Sequence, residues 1–393
     1  MTDVDRWLLP DGVDEVLPPQ ANKLETLRRD ILDLYAAWGY DLVVPPLIEF
    51  LDSLFVVQGE SFRLDTFKIV DQFTGRGMGI RADITSQVAR IDAHGLKRNG
   101  PNRLCYADSV LHTKPSSLRA SRCPIRIGAE LYGSPATGAD IEVISIMLET
   151  LAIAGINKVQ LALGHVGIYR SLIESAGLDA GLEQKLFNGI QRKSTGEIES
   201  LLSQSDCPAD LKEMLQLLPG LSGDIEVLAE AEQVLASAPG TVKQDIARLR
   251  NIAASLEARF PEQSLYFDLS ELRGYEYHTG IVFAAYIDNY GEAVAKGGRY
   301  DDIGEMFGRY RSATGFDADL KTLLQLGQRE YTKVSKIFAP AMEDPALLEF
   351  IRELRKQGKA VVTELEDQKE GAAEMDCSSI IVQVNGKWVV QPL

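Results

Sequence analysis

The sequence predicts an α+β protein in two parts: a core over residues 1–330 with a helical insertion at about 167–258, and a small C-terminal α/β domain over 331–393. Three observations lead there. Short β-like runs bounded by turn residues alternate with amphipathic helices as far as Leu163 and resume at Ser264. Between Gly167 and Ala258 the texture changes to Leu and Ala at three- and four-residue spacing, broken by Pro208, Pro219-Gly220 and Pro239-Gly240. From Tyr331 onward strand and helix patterns alternate again. At 393 residues the chain also exceeds the ~250–300 at which single cores stop growing.

Taken in order, the first helix is expected over about Ala21–Trp38, with Leu24, Leu27, Ile31, Leu34, Tyr35 and Trp38 on one face and Gly39 at its stop. Tyr40–Val44 is a short strand closed by Pro45-Pro46, which cannot continue a ladder. Further strands are expected at Thr66–Val70, Met78–Arg81, Arg103–Ala107 and Ile125–Tyr132, with a hairpin turn in Gly75–Gly79. A helix at Ile141–Ala154 leads through Gly155 into a strand at Val159–Leu163. After the insertion come strands at Ser264–Leu269, Ile281–Tyr286 and Ala293–Lys296, then a helix over Asp317–Leu326. In the tail, Lys336–Ala339, Ala360–Glu364 and Ser379–Val384 read as strands. Asp344 caps a helix that has Pro345 at its first position and Gly358 past its end. Asn385-Gly386 is a type I′ hairpin signal into Lys387–Val390.

Composition narrows the function. The chain has 57 acidic and 41 basic residues, a net charge of −16, which argues against phosphate backbones as its chief partner. Its four cysteines are scattered, and neither they nor the four histidines have metal-ligand spacing, so no metal site and no disulfide framework are expected. No run approaches the ~20 apolar residues that span a bilayer, and the acidic start lacks a signal-peptide pattern. A soluble, cytoplasmic protein is the expectation.

Three constellations carry polar chemistry. In Arg273-Gly274-Tyr275-Glu276-Tyr277-His278-Thr279-Gly280, extended alternation would set Arg273, Tyr275 and Tyr277 on one side and Glu276 and His278 on the other. Such a segment builds a pocket for a small zwitterion or is a turn before an edge strand. Lys296-Gly297-Gly298-Arg299 is either a simple turn or a phosphate-binding nest. In Arg81-Ala82-Asp83-Ile84-Thr85, Asp83 and Thr85 suit an ammonium group or the start of a helix.

In this order and at these separations, the constellations resemble the class II aminoacyl-tRNA synthetase core, specifically its histidyl member, over about Pro10–Leu326. Gly39-Tyr40 through Pro45-Pro46 and Glu49 resembles the first motif, Arg103–Gly133 the second and Ser312–Leu326 the third. R-G-Y-E-Y-H-T-G is similar to the histidyl signature, and K-G-G-R-Y-D to a glycine-rich family segment. The resemblance implies an antiparallel sheet flanked by helices, dimeric through the first-motif region.

The departures set the expected function. Where the family's second motif grips the ATP α-phosphate with an arginine and follows with a glutamate, this chain has Leu111 and Thr113. Where the third motif ends in a small residue, a glutamate and a γ-phosphate arginine, it has Asp319, Lys321 and Thr322. Thr322 offers no guanidinium fork, and Asp319 adds negative charge beside a phosphate. Aminoacylation is therefore expected to be lost. The amino-acid side is better kept. By resemblance Asp83 faces the ammonium with Thr85 beside it, Glu130 faces the imidazole, Arg273 the carboxylate, and Tyr277 with His278 line the ring. Arg126 falls where the family has a glutamine, and a cation there opposes an ammonium, so its role stays open.

The tail is also shorter than a synthetase's anticodon-binding domain, which with the acidic charge disfavours tRNA. Together these features resemble the regulatory subunits of ATP phosphoribosyltransferase. That family implies no catalysis, no cofactor and no membrane. It implies a short-form catalytic subunit as partner, activation of that subunit, histidine as a feedback effector, and a hetero-octamer. The alternatives are an active histidyl-tRNA synthetase-like ligase, a synthetase-like accessory protein, and a relic pocket that binds nothing.

Overall fold

A computed structural model describes residues 7–56, 60–115, 120–275 and 277–393. The chain divides into two compact units, Met1–Arg329 and Glu330–Leu393. In the first, the strands in chain order are β1 (Asp41–Leu42), β2 (Ile48–Phe50), β3 (Phe67–Val70), β4 (Gly77–Ile80), β5 (Asn102–Ser109), β6 (Ile125–Tyr132), β7 (Gln160–His165), β8 (Ser222–Gly223), β9 (Ser264–Asp268), β10 (Ile281–Tyr286), β11 (Ala295–Arg299) and β12 (Ala313–Asp319). Nine of them form one sheet in the order β1-β5-β6-β12-β11-β10-β7-β9-β8; β2, β4 and β3 form a second, antiparallel sheet. The large sheet is antiparallel except where β1 meets β5 and β7 meets β9.

Strand alternation gives the large sheet two different faces. On one, Phe316 of β12 meets the Tyr35 ring edge-on at 6.2 Å, and helices Gln20–Ala37 and Thr137–Ile153 cover the strands. The Thr137–Ile153 helix is apolar nearly all round and buries Ile141, Val143, Ile144, Ile146, Met147, Leu148 and Leu151, as a helix sandwiched in a core must. On the other face, Ile84, Val88 and Ala89 from the loop and helix Thr85–Arg90 pack with Leu104, Tyr106, Tyr132, Tyr300 and Ala313 at one end. The rest of that face stays open. Gly128, Gly298, Gly315, Ala162 and Ala284 keep it low, and a cavity forms above it.

Between β7 and β9 the chain is mainly helical: Val166–Ala176, Ala180–Gln191, Thr195–Ser203, Ala209–Leu217, Val227–Val234 and Gly240–Arg259 each bury apolar side chains, with the two-residue β8 as the exception. The C-terminal unit has β13 (Lys336–Ala339), β14 (Ala360–Thr363), β15 (Cys377–Val384) and β16 (Lys387–Pro392) in the order β14-β13-β15-β16. Helix Pro345–Lys356 buries Leu347 and Ile351 against Ile337, Val361 and Ile381. Asp344 caps it through Ala346 N–H at 2.8 Å, and Asn385 and Gly386 both take positive φ in the β15–β16 turn.

Four local expectations are corrected. The Arg273–Gly280 segment is a turn: Gly274 takes φ +71°, and its carbonyl accepts from both Tyr277 N–H (2.8 Å) and His278 N–H (2.7 Å). Its residues therefore do not alternate, and Glu276 lies outside the described residues. The Lys296–Arg299 segment is neither turn nor nest but strand β11, paired on both sides. The last core helix begins at Leu320, because Ala313–Asp319 pairs with both β11 and β6 as β12. The β3–β4 turn precedes Gly77, since Gly77–Ile80 is already strand.

Candidate functional site

The register of β6 and β12 builds the site. Arg126 pairs with Asp319, Gly128 with Asp317 and Glu130 with Gly315, so all six present to the open face. Lys296 of β11 lies opposite Asp317. Above them stand Asp83 and Thr85 at the start of the Thr85–Arg90 helix, and the Arg273–Gly280 turn. The cavity enclosed is ≈ 880 Å³, and Asp83, Thr85, Arg126, Glu130, Arg273, Tyr277 and His278 all line it.

Glu130 forms the deep end. It is 1% exposed, and its Oε1 accepts from Thr85 Oγ1 at 2.9 Å and from Tyr106 OH at 3.4 Å. Burial holds its carboxyl well above the usual carboxylate range, and Asp83 and Asp317 push the same way against those two hydrogen bonds. Its Oε2, with the hydroxyls of Tyr277 and Tyr300, is buried without a hydrogen-bond partner among the described residues. Tyr277 and Tyr300 stack at 5.0 Å, and the His278 ring stands edge-on to Tyr277 at 5.3 Å. Burial pushes His278 down to about 4, so its imidazole is neutral at pH 7. Buried polar atoms are costly unless paired. Two phenols and an acid at the base of an aromatic slot thus suit a flat ring with polar nitrogens.

Above the slot, Asp83 is raised by burial and by Asp317, while the Ile84 and Thr85 amides and Arg126 act against the shift. Arg126 Nη1 is 3.2 Å from Asp317 Oδ2. Burial works against its charge, but Asp317, Asp319 and Asp83 outweigh it and hold the guanidinium charged. Arg126 thus shares its charge with three neighbouring carboxylates, Asp317, Asp319 and Asp83. Arg273 sits at the rim, 67% exposed, with Nη2 2.7 Å from Glu271 Oε2. Sequence reasoning missed Asp317 and Tyr300 as lining residues. The signal was the strand alternation Gly315, Asp317, Asp319, hidden by placing the helix start three residues early.

The positions read as lost phosphate grips are occupied by internal bonds. Asp319 caps the Leu320–Leu326 helix, accepting from Lys321 N–H at 3.1 Å and from Thr322 Oγ1 at 2.9 Å. Lys321 Nζ pairs with Asp14 at 3.0 Å. Thr113 Oγ1 donates to the Leu64 carbonyl at 2.7 Å, and Leu111 N–H to Arg81 at 3.0 Å. Arg299, the basic residue after the paired glycines, is 3% exposed and held by Asp140 (2.9 Å) and Asp301 (3.1 Å). Among the described residues, no cluster of His, Cys, Asp and Glu is placed to hold a metal ion, and no helix is long and apolar enough to cross a membrane.

The chain matches two family models: Histidyl-tRNA synthetase over residues 12–323, and ATP phosphoribosyltransferase subunit HisZ C-terminal domain over residues 334–391. It is 52% identical over 395 residues, spanning 100% of both chains, to the ATP phosphoribosyltransferase regulatory subunits of Stutzerimonas stutzeri and Pseudomonas fluorescens. That of Pseudomonas aeruginosa is 51% identical over the same span. Among solved structures, an ATP phosphoribosyltransferase regulatory subunit/histidyl-tRNA synthetase from Bacillus halodurans C superposes with TM-score 0.81 at 25% identity, over 93% of this chain and 95% of that one. A histidyl-tRNA synthetase from Nostoc sp. PCC 7120 superposes with TM-score 0.77 at 17% identity, over 96% and 91%, a likeness of fold. The nearly full-length identity and the two matched models together place this chain in the ATP phosphoribosyltransferase regulatory subunit family.

Proposed function

We infer that this chain is a non-catalytic subunit that binds the short-form catalytic subunit of ATP phosphoribosyltransferase, raises its turnover and makes it sensitive to histidine. The observation that carries the reading is the split character of the site. The residues expected to hold an amino acid line one cavity, while the phosphate-gripping positions hold Leu111 and the Asp319–Thr322 cap. Histidine fits the slot, with its ring between Tyr277 and Glu130 and its ammonium toward Asp83. Inhibition then follows if the complex's active and inactive states differ in their affinity for histidine. Self-association through the first-motif region accounts for apolar residues left at the surface between Leu42 and Phe73: Leu42, Val44, Leu47, Ile48, Val70 and Phe73 are 42–99% exposed. A dimer of this kind within a hetero-octamer, in the cytoplasm and without tRNA, completes the reading.

The test is steady-state ATP phosphoribosyltransferase activity of the short catalytic subunit, with and without this chain, across a histidine titration. Faster turnover that histidine then suppresses is the expected outcome, with no histidine-dependent ATP–pyrophosphate exchange by this chain alone. Unchanged turnover and no complex would overturn the reading.

A further inference from the structure

The two arginines of the pocket are in opposite situations. Arg273, the residue the synthetase resemblance puts near the substrate carboxylate, already holds one. Its Nε lies 3.1 and 3.0 Å from the two Glu271 oxygens and its Nη2 2.7 Å from Oε2. The Arg273 backbone N–H adds a fourth bond to the same side chain at 2.8 Å. The Nε–Nη2 edge is thereby committed to Glu271, and only Nη1 and one Nη2 hydrogen remain, at the exposed rim.

Arg126 is on the cavity floor. It lies four residues before Glu130 on β6 and on the same face, with only Gly128 between them. Four residues of strand span about 13 Å, the room an amino acid needs between an arginine reaching from one end and a glutamate from the other. One of its nitrogens, Nη1, is held by Asp317, and among the described residues Nε and Nη2 make no hydrogen bond to protein. The charged and titratable groups around it are Asp317 and Asp319 from β12, Asp83 from the loop after β4, Tyr106 from β5, His112 from the segment after β5, and Lys296 from β11.

We propose that Arg126, oriented by Asp317, is the carboxylate anchor of the pocket, gripping an α-amino acid whose ammonium meets Asp83 and whose ring meets Glu130 and Tyr277. This rests on the histidine reading above and deepens it. The ammonium and the carboxylate of a zwitterion are adjacent, and so are Asp83 and Arg126. The assignment also explains why an arginine is useful here. An enzyme that activates the carboxylate must leave its oxygen free to attack phosphorus, whereas a subunit that only senses the amino acid gains by tying that oxygen up. Ligand specificity follows: a free carboxylate is required, and an imidazole with an amine is not enough.

Isothermal titration of the complex with L-histidine, L-histidinol and histamine tests this, on the wild type and on Arg126→Gln and Arg273→Gln. The wild type should bind histidine about 10–100-fold more tightly than histidinol, the usual worth of charge-assisted hydrogen bonds. Arg126→Gln should lose histidine affinity by a similar factor while histidinol changes less than about threefold; Arg273→Gln should leave histidine within about threefold. A variant that weakens histidine and histidinol equally, or a loss confined to Arg273→Gln, overturns the anchor while leaving the histidine pocket standing. A wild type that binds none of the three overturns both. If Arg126→Gln fails to fold, the ligand series on the wild type decides alone, since equal affinity for histidine and histidinol overturns the anchor.

Discussion

At the scale of single residues, Glu130 ties the floor of the candidate slot to folding stability. Its carboxyl lies at the bottom of the slot with one oxygen taken by Thr85 and Tyr106 and the other unpaired among the described residues. With its folded-state value raised mainly by burial, the acid stays protonated in the fold where the unfolded chain has released its proton. Its contribution to stability is therefore complete below the ordinary carboxylate range, ~4.3, and is lost as pH rises from there through the raised folded value. Glu130→Gln keeps the shape and the acceptor for Thr85 and removes this titration. The variant should gain about 2–4 °C in melting temperature over wild type between about pH 5 and pH 8, with the gain growing toward the alkaline end. Melting curves that stay parallel across that range would show that the buried acid ionises without penalty. Asp83, Thr85, Tyr277 and His278 could be picked out because each sits in a short polar segment, and Glu130 because it lies in the stretch that resembles the family's second motif. Asp317 was not, because its role comes from lying across the sheet from Gly128, and cross-strand register is invisible until two distant segments are paired.

At the scale of elements, the pocket exists because glycines keep the sheet low. Runs with β-branched or aromatic alternation, such as Ile281–Tyr286 and Ile125–Tyr132, were read at their observed bounds. The strand expected at Ala293–Lys296 was ended three residues short of Arg299, because two glycines and two cations look like a turn. The structure gives those glycines a different reason. A Cβ on Gly298 would meet the His278 ring at 2.6 Å, and one on Gly297 the Phe283 ring at 2.6 Å. Gly315 is the sharpest case: its side-chain position is filled by Glu130 Oε2, with Tyr300 OH 2.6 Å away. Gly315→Ala must therefore displace the acid or the phenol from the base of the slot. It should cost about 1–3 kcal/mol of stability, as overpacking does, and remove most histidine binding. The contrasting change is Gly196→Ala in helix Thr195–Ser203, where a new Cβ meets nothing within 4 Å. That substitution should stabilise by about 0.5–1 kcal/mol and leave histidine binding intact. Chemical denaturation of the two variants, with histidine titration of each, separates a filled slot from a generally weakened sheet. Equal stability and equal binding in both would show that Glu130 relaxes freely and that the low floor is unimportant.

At the scale of the whole molecule, a subunit that carries no chemistry can act only by preferring one state of its partner. Thermodynamic linkage makes that reciprocal: if histidine changes the affinity of this chain for the catalytic subunit by some factor, the catalytic subunit changes the affinity of this chain for histidine by the same factor. Couplings of this kind are typically about 1–3 kcal/mol, or roughly 5–150-fold. Two titrations therefore constrain each other. One measures binding of the catalytic subunit to this chain with and without saturating histidine. The other measures histidine binding to this chain with and without saturating catalytic subunit. Equal factors in the two place the effector in a site on this chain that the partner senses, the outcome the candidate slot leads one to expect. A catalytic subunit that is inhibited by histidine in the complex while neither affinity moves would need the effector to act without differential binding to the association equilibrium. The regulatory effect would then lie in states of the assembled complex rather than in assembly, and the same pair of titrations on Arg126→Gln, expected to weaken histidine binding without touching the exposed surface between Leu42 and Phe73, would show whether the slot is the site from which those states are biased.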